Sequence, residues 1–155
     1  MRVAHPPLAP QRWFDDFSLG EQFPLPSRTL TDAHFLAFQA ASGDNHPIHY
    51  DREYCRAKGM PDLLAHGFQV LIQTAAGAGL FPHMVEDSLK AFLDQSSRFL
   101  HPVYAGDTLY SLLTIDELTP GRTTGVLGMA TTIKNQSGTP VLEGRQRYLL
   151  RRSPN

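Results

Sequence analysis

The stretch GFQVLIQTAAGAGL, residues 67–80, is the segment from which the fold can be predicted. Its apolar side chains lie on nearly every side of a helix, and they are Phe68, Val70, Leu71, Ile72, Ala75, Ala76, Ala78 and Leu80. A helix that is apolar all round is enclosed by the rest of the protein rather than laid on its surface. We therefore predict an enclosed central helix over residues 67–80, whose small residues let a sheet approach closely.

The pattern changes from helix to strand after this segment. Predicted strands cover residues 91–100, 108–118, 123–135 and 141–151, and the turn sequences AGD, TPG and NQSG separate them. Strands grouped after helices are typical of an α+β domain with an antiparallel sheet. The sequence thus predicts an α+β fold in which this sheet wraps around the helix 67–80.

The first half of the chain supplies the remaining elements. Residues 13–23 predict a short strand along a sheet edge. Thr31 is the N-cap of a first helix that ends near Gly43, and residues 51–57 predict a short second helix.

The organisation of the chain is simple. No repeat, charge block or interior linker divides it, and 155 residues suit one domain. We predict a flexible N-terminal arm over residues 1–12 and a single domain over residues 13–152.

Charge and cysteine content limit the possible partners and the compartment. The formal net charge of −1 provides no global field for nucleic acid or an anionic membrane. Cys55 is the only cysteine, which excludes an intramolecular disulfide framework and favours a reducing compartment. The N-terminal residues lack the apolar run of a signal peptide, and residues 67–80 fall short of the roughly 20 apolar residues that span a bilayer. We predict a cytoplasmic protein that binds neither nucleic acid nor membrane.

The stretch with the most reactive side chains is SGDNHPIHYD, residues 42–51. In an extended chain Asp44 and His49 would lie roughly 17 Å apart, but Gly43 and Pro47 favour a tight turn. If the turn brings the two together, a carboxylate and an imidazole can hold one water and exchange protons with it near neutral pH. The stretch then contains a general acid/base pair.

Two other interpretations of this stretch remain open. Asp44 can cap a neighbouring turn while the histidines are solvated loop residues. A metal site is the second possibility, with His46, His49, Asp51 and His66 as ligands. Pro47 lies between the first two histidines and no cysteine completes a common ligand spacing, so we predict no metal site.

Three stretches together resemble one known family. They are Ser42 to Asp51, Leu64-Ala65-His66-Gly67-Phe68, and Arg98-Phe99 with Pro102 to Leu109. The first resembles the hydratase motif of the MaoC-like family, the R-specific enoyl-CoA hydratases of hot-dog fold. The others resemble the family's segments at the start of the central helix and of a following strand. The resemblance covers about residues 13–151 and implies a hot-dog fold, an antiparallel sheet wrapped around a long central helix.

The resemblance implies a hydratase or dehydratase with Asp44 and His49 as the catalytic residues. Such an enzyme adds water reversibly across the 2,3 double bond of an enoyl-CoA thioester to form an R-3-hydroxyacyl-CoA, a reaction type of fatty acid metabolism. Protonation of the α-carbon passes through an enolate-like thioester oxygen, which requires a hydrogen-bond donor. The backbone N–H of Gly67, at the start of the predicted helix, can supply it, although a glycine there also suits close packing of the incoming chain.

Further residues are assigned to the substrate. The predicted pocket residues are Asn45, His46, Pro47, His66, Phe68 and Ile72, and Arg98 is the candidate contact to a CoA phosphate. His66 can alternatively satisfy a backbone carbonyl, and Arg98 can alternatively be a solvated edge residue. The family usually has asparagine at the position of His46, and some members have serine at that of Ile72. We expect differences in acyl preference to originate at these two positions.

The resemblance implies no metal or redox cofactor, since coenzyme A is part of the substrate, and it implies a homodimer. A free sheet edge gives a physical reason for subunits to pair. Two other functions remain open: a hot-dog acyl-CoA thioesterase, and an acyl-CoA-binding module that has lost turnover. A thioesterase would need the carboxylate without a histidine five residues on, so the presence of both Asp44 and His49 favours the hydratase.

Overall fold

The computed structural model describes residues 6–154. The helices of this part are α1 (Asp32–Ser42), α2 (Arg52–Ala57), α3 (Gly67–Leu71) and α4 (Phe81–Met84). Single 3-10 turns lie at Phe14–Asp16, Pro47–His49, Ile72–Thr74 and Ala76–Ala78. The strands are β1 (Gln22–Pro24), β2 (Arg28–Thr29), β3 (Leu89–Phe99), β4 (Thr108–Pro120), β5 (Thr124–Lys134) and β6 (Pro140–Arg151).

The strands form one antiparallel sheet. Its order is β1-β4-β5-β6-β3, and the short strand β2 also pairs with β4. The four long strands predicted from the sequence are confirmed as β3 to β6. The predicted edge strand over residues 13–23 was wrong for most of its length, because Phe14–Asp16 form a 3-10 turn and only the last two of these residues belong to β1. Strand β3 lies at the other edge of the sheet, where it pairs only with β6 among the described strands.

The predicted helices before the central segment are also confirmed. Thr31 is the N-cap of α1, and Gly43 ends it in the left-handed conformation with φ of 76°. Asp51 caps α2, since its Oδ1 accepts the N–H of Tyr54 at 3.0 Å. These ends were predictable because side chain and backbone geometry within a few residues determine them.

The predicted central helix requires a correction. It begins at Gly67, but α3 ends at Leu71, and after one 3-10 turn the backbone is extended at Ala75. This leaves the carbonyl of Thr74 without a helical partner, and Gln146 of β6 supplies one: its Nε2 donates to the Thr74 oxygen at 2.8 Å and to its Oγ1 at 2.9 Å. The prediction of a continuous helix was wrong because the side chain that stabilises the break lies 72 residues away in the sequence.

The same segment is not enclosed on all sides. Phe68, Ile72 and Leu80 expose 67%, 49% and 59% of their surface, whereas Val70 and Ala76 are buried. The sheet covers only one side of the segment. A single sheet curls over a helix, and the opposite side of the helix then stays exposed. The prediction of an enclosed helix is therefore wrong for the single chain.

Two apolar clusters fill the interior. The first core lies under β4 to β6 and includes the rings of Phe17, Phe23, Phe81 and Tyr148. The second core lies between α1, α2 and the sheet and includes Phe35, Cys55, Leu63, Val103 and Ile133. The second core supports the segment that leads into α3.

Strand β3 approaches β6 closely at Gly144. A Cβ at this position would lie 2.3 Å from the backbone oxygen of Ser96 and 3.0 Å from Cα of Ser97. Any side chain would push the two strands apart. The edge strand β3 therefore depends on a glycine in its neighbour.

The N-terminal residues and the helices complete the description. In the predicted arm, Gln11 Nε2 donates to the carbonyl of His83 at 2.6 Å, and the N–H of Arg12 donates to that of Met84 at 2.6 Å. Residues 1–5 of this arm lie outside the described residues, and its bounds stay a prediction. Of the helices in residues 6–154, none has both the length and the apolar character that crossing a membrane requires.

Candidate active site

Asp44 and His49 come together at the turn after α1. Gly43 ends the helix, and Pro47 begins a 3-10 turn in which the N–H of His49 donates to the carbonyl of His46 at 3.1 Å. The turn leaves 3.9 Å between Asp44 Oδ2 and His49 Nε2. Local geometry thus produces the close approach that the sequence pattern predicts.

The hydrogen bond made by Nδ1 determines which ring nitrogen of His49 carries the proton. Nδ1 lies 2.6 Å from the carbonyl oxygen of Leu64. A carbonyl can only accept, so Nδ1 carries the proton and Nε2 of the neutral ring is a free acceptor. His49 is buried, and its acceptor nitrogen lies 3.9 Å from a carboxylate oxygen.

The carboxylate of Asp44 is half exposed. Within residues 6–154 its oxygens accept no hydrogen bond, and the hydrogen bonds of this residue are made by its backbone. Its N–H donates to Ser42 Oγ at 3.2 Å, and its carbonyl lies 3.1 Å from Nε2 of His66. The position of the carboxylate therefore depends on how the backbone of residue 44 is held.

His66 lies behind the pair. Its exposure is 1%, and its ring stacks on that of His49 with 3.7 Å between centroids and 19° between planes. Phe35 and Phe38 of α1 contact the ring with centroids 6.2 and 4.9 Å away. Of the two alternatives predicted for His66, the structure favours the bond to a backbone carbonyl. Such a buried ring has no surface with which to line a pocket.

Burial also affects the charge of His66. Desolvation lowers its pKa below the ordinary histidine range, and the nearby His49 acts in the same direction, while the carbonyl and the charge of Asp44 oppose it. Nε2 carries the proton of the neutral ring because it donates to the Asp44 carbonyl. Nδ1 is buried without a hydrogen-bond partner within the described residues.

One short segment, residues 63–66, anchors both members of the pair. The N–H of Leu64 donates to the carbonyl of Ile48 at 3.0 Å, and the carbonyl of Leu64 holds His49. The segment itself is extended and bonded to the chain before β4, where the N–H of Ala65 donates to the carbonyl of Val103 at 2.8 Å. Sequence reasoning missed this anchoring role, because no local pattern in residues 63–66 indicates which distant loop they contact.

His46 stands where the family usually has asparagine. Its Nδ1 accepts the N–H of Ile48 at 3.3 Å and caps the 3-10 turn. Asparagine caps helical turns with its Oδ1 in the same way. The histidine therefore preserves the turn that brings Asp44 and His49 together, and its exposed ring packs edge-on against Tyr54.

The remaining predicted site residues are dispersed. Asn45 and Pro47 lie between Asp44 and His49 along the chain, and Phe68 is exposed on α3. Ile72 lines an open cavity of about 360 Å³ at the break after α3, together with Phe92, Gln146 and Tyr148. Arg98, on β3, forms an ion pair with Glu143 of β6.

The groups of the site face different cavities in the single chain. His49 lines a cavity of about 390 Å³ with Leu36 and Gln39 of α1. Gly67 lines another of about 350 Å³, next to Phe99. None of these three cavities contains the pair, Gly67 and Ile72 together.

The donor atoms of Asp44, His49 and His66 lie within 4.8 Å of one another, close enough to suggest a metal site. A metal ion binds imidazole in the plane of the ring, and the two rings are stacked nearly parallel. One ion could bind both histidines only if the rings tilted apart. In addition, Nδ1 of His49 and Nε2 of His66 are directed at carbonyl oxygens. The arrangement suits proton transfer better than metal binding.

The sheet is antiparallel and curls over a short central helix, and an aspartate and a histidine converge beside His66, the residue before that helix. These features define a hot-dog domain with a candidate acid/base site. The sequence model of the MaoC-like domain matches residues 16–136. The chain therefore belongs to the MaoC-like dehydratase family.

Individual relatives are distant. The chain is 30% identical over 105 residues to protein MaoC of Klebsiella aerogenes, a match that covers 67% of this chain and 30% of that protein. It is 24% identical over 136 residues to the (R)-specific enoyl-CoA hydratase of Rhodospirillum rubrum, covering 85% and 87% of the two chains.

A solved structure supports the fold. A conserved Mycobacterium tuberculosis protein with a double hot-dog fold superposes with a TM-score of 0.78 at 30% identity. The match covers 94% of this chain and 46% of that protein. The chain thus corresponds to about half of that double fold.

Proposed function

We propose that this protein is a hydratase or dehydratase that adds water reversibly across the 2,3 double bond of an enoyl-CoA thioester to give an R-3-hydroxyacyl-CoA. The observation that carries the proposal is the 3.9 Å separation between Asp44 Oδ2 and His49 Nε2. Both atoms are acceptors, so one water placed about 2.8 Å from each can donate an O–H to both. The name of the Rhodospirillum rubrum relative supports this reaction class.

The proton balance of the reaction fits such a pair. As the water oxygen bonds to C3, one water proton passes to the pair, and the double-bond electrons move to the thioester oxygen. The pair then returns a proton to C2, the enolate collapses, and no oxidant or reductant is needed. Because both acceptors approach from one side, hydroxyl and proton are added to the same face of the double bond.

The enolate-like oxygen needs a donor, and we assign this role to the backbone N–H of Gly67. The first N–H groups of a helix have no partner within it, and Gly67 is the first residue of α3. It follows His66, whose ring contacts both members of the pair. Removal of one such donor typically lowers kcat by about 100- to 1,000-fold.

Gly67→Pro tests this donor, because proline removes the N–H and is tolerated at the first helical position. His66 already has the extended backbone that precedes proline, with φ of −59° and ψ of 139°. Gly67→Ala is the matched control: it keeps the N–H, and its Cβ would meet the Phe99 ring at an ordinary 3.5 Å. We expect kcat of the proline variant to fall about 100- to 1,000-fold below that of the alanine variant. Equal rates for the two would exclude the N–H as the donor.

The test of the reaction itself is a spectroscopic assay. The native protein is mixed with crotonyl-CoA and with longer, branched and dicarboxylic enoyl-CoAs, and loss of the enoyl-thioester absorbance is followed beside release of free thiol. Loss of absorbance with a 3-hydroxyacyl product supports hydration. Release of CoA would instead identify a thioesterase, and saturable binding without product would identify a binding module.

The surface around β3 leads us to infer a homodimer. As an edge strand, β3 has unpaired backbone groups on one side. Exposed apolar residues lie on it, on α3 and at the start of the 3-10 turn after α3, and they are Phe68, Ile72, Phe92, Leu93 and Phe99. Pairing of two copies through β3 would cover this surface. It would also bring the cavities lined by Gly67 and Ile72 to the interface between subunits.

Sedimentation equilibrium tests the dimer. We expect a mass of two 17.3 kDa chains at micromolar concentration, and we expect Leu93→Lys to shift the equilibrium toward one chain, because a buried charge in the interface is costly. Leu19→Lys is the control, since Leu19 is the same residue type and is even more exposed, 65% against 44% for Leu93, but does not belong to β3. A native mass of one chain, or equal behaviour of the two variants, would contradict the proposed interface.

The substrate contacts of His46, Ile72 and Arg98 remain proposals. Ile72 lines the 360 Å³ cavity, which is the candidate acyl site. Arg98 can reach a CoA phosphate only if it exchanges or shares its partner Glu143. The cytoplasmic location and the absence of a metal or redox cofactor likewise stay predictions.

A further inference from the structure

His66 connects the two members of the pair, although it belongs to neither the turn nor the water site. Its Nε2 donates to the backbone carbonyl of Asp44, and its ring lies flat on that of His49. The sequence separations are 22 and 17 residues, so these contacts depend on the tertiary fold. Phe35 and Phe38 hold the ring from the side of α1.

The hydrogen bond from His66 helps to determine where the Asp44 carboxylate lies. Since the Asp44 carboxylate accepts no hydrogen bond within residues 6–154, its place is determined by the backbone that carries it. Two hydrogen bonds hold that backbone, one local to Ser42 and one from His66. The bond from His66 ties the backbone of Asp44 to the segment that also anchors His49 through Leu64.

The proton state of His66 matters for the same reason. The titratable groups that act on the ring are His49, stacked on it, and Asp44, while α1 presents the rings of Phe35 and Phe38. A proton on Nδ1 would have no acceptor and would place a cation against His49. The neutral ring therefore suits a neighbour that must take up a proton during the reaction.

We propose that His66 is a positioning residue that holds the Asp44 carboxylate and the His49 ring at the separation needed to share one water. The inference rests on the proposed hydratase function. His66 itself touches neither water nor substrate, because its side chain is enclosed.

Two variants separate the contributions of His66. His66→Gln places an amide N–H near the position of Nε2 and removes the titrating ring, whereas His66→Phe keeps a flat ring and removes the N–H. His83→Gln, at a partly exposed histidine paired with Glu86, controls for loss of a histidine elsewhere. Urea unfolding of each variant establishes that it is folded before kinetics are compared.

We expect His66→Phe to lower kcat by about 100-fold, the effect of a misplacement on the order of 1 Å at a reacting centre. KM should stay within about twofold, because His66 does not contact substrate. His66→Gln should recover about tenfold or more of the lost kcat, since it restores the donor to Asp44. Equal kcat values for native protein and both variants, or a higher KM at unchanged kcat, would overturn the positioning role.

Crystal structures of the two variants test the inference independently of turnover. The distance between Asp44 Oδ2 and His49 Nε2 should remain near 3.9 Å in His66→Gln and increase in His66→Phe. If the native protein hydrates no thioester but this distance changes as expected, the reaction is wrong and the positioning stands. An active native protein with an unchanged distance in His66→Phe refutes the positioning alone.

The pH dependence of stability gives a second readout. Because burial lowers the pKa of His66, the unfolded chain binds a proton that the folded chain does not. The free energy of unfolding should therefore fall as pH decreases below the ordinary histidine pKa of about 6.5. His66→Gln should weaken this dependence relative to the native protein and to His83→Gln, and an identical dependence in all three would show that His66 is not held neutral by the fold.

Discussion

Asp44→Asn lowers kcat for the preferred enoyl-CoA by about 100- to 10,000-fold, the range that one acid/base group contributes. The amide keeps the size of the side chain but cannot take up a proton, and the backbone bonds to Ser42 and His66 are unaffected. The decrease in kcat therefore measures the contribution of the carboxylate to catalysis. Stopped-flow or steady-state loss of enoyl-thioester absorbance measures it, with KM reported separately.

His49→Asn is the companion variant. The amide nitrogen of asparagine lies close to the position of Nδ1, so it can still donate to the carbonyl of Leu64 while the acceptor at Nε2 is removed. We expect a fall in kcat of similar size. Since the two residues act on one water, the double variant should be about as slow as the slower single variant.

Asp51→Asn is the matched control within the same ten residues. Asp51 caps α2 through its contact to the N–H of Tyr54, and asparagine caps equally well. Its kcat should stay close to that of the native protein. If Asp44→Asn and His49→Asn also retained native rates, the pair would be a structural turn and the proposed reaction would fail.

Phe81→Ala lowers the free energy of unfolding by about 3–5 kcal/mol, the usual cost of removing a buried phenylalanine. Phe81 is 1% exposed, and its ring lies 5.9 Å from that of Phe17, 5.4 Å from Phe23 and 5.3 Å from Tyr148, centroid to centroid. Alanine would leave a cavity between α4 and β6 that these rings cannot close together. Urea unfolding, monitored by circular dichroism, measures the change in the free energy of unfolding.

The neighbouring Leu80→Ala is the control for this prediction. Leu80 is 59% exposed in the single chain, so its truncation should change the free energy of unfolding by no more than about 0.5 kcal/mol. If Leu80→Ala lowered the free energy of unfolding as much as Phe81→Ala, the side of residues 67–80 that the sheet leaves exposed would be covered in solution.

The comparison between the two adjacent residues also shows what was hard to predict. Both residues are large and apolar, so the sequence pattern provided no reason to expect that Leu80 would be exposed and Phe81 buried. The break after Thr74 redirects the chain so that Phe81 enters the first core while Leu80 stays outside. The break depends on Gln146, which lies on β6 and cannot be inferred from residues 67–80.

Some features of the candidate site could be predicted from the sequence and others could not. The approach of Asp44 and His49 was predictable because Gly43 and Pro47, four residues apart, produce a turn by local geometry. The capping role of His46 follows from the same turn, and it explains why a histidine can replace the usual asparagine there. The roles of Leu64 and His66 were not predictable, since their contacts cross 15 and 22 residues without any periodicity.

The sequence by itself determined the strands β3 to β6, the ends of α1 and α2, and the turn that joins Asp44 to His49. All of these depend on periodicity, caps and backbone conformations within a few residues. The tertiary structure alone decided where the central helix breaks, which of its apolar side chains are buried, and which histidine stands behind the pair. Those features result from hydrogen bonds and packing between distant segments, whose partners are selected only when the sheet and the turn are brought together.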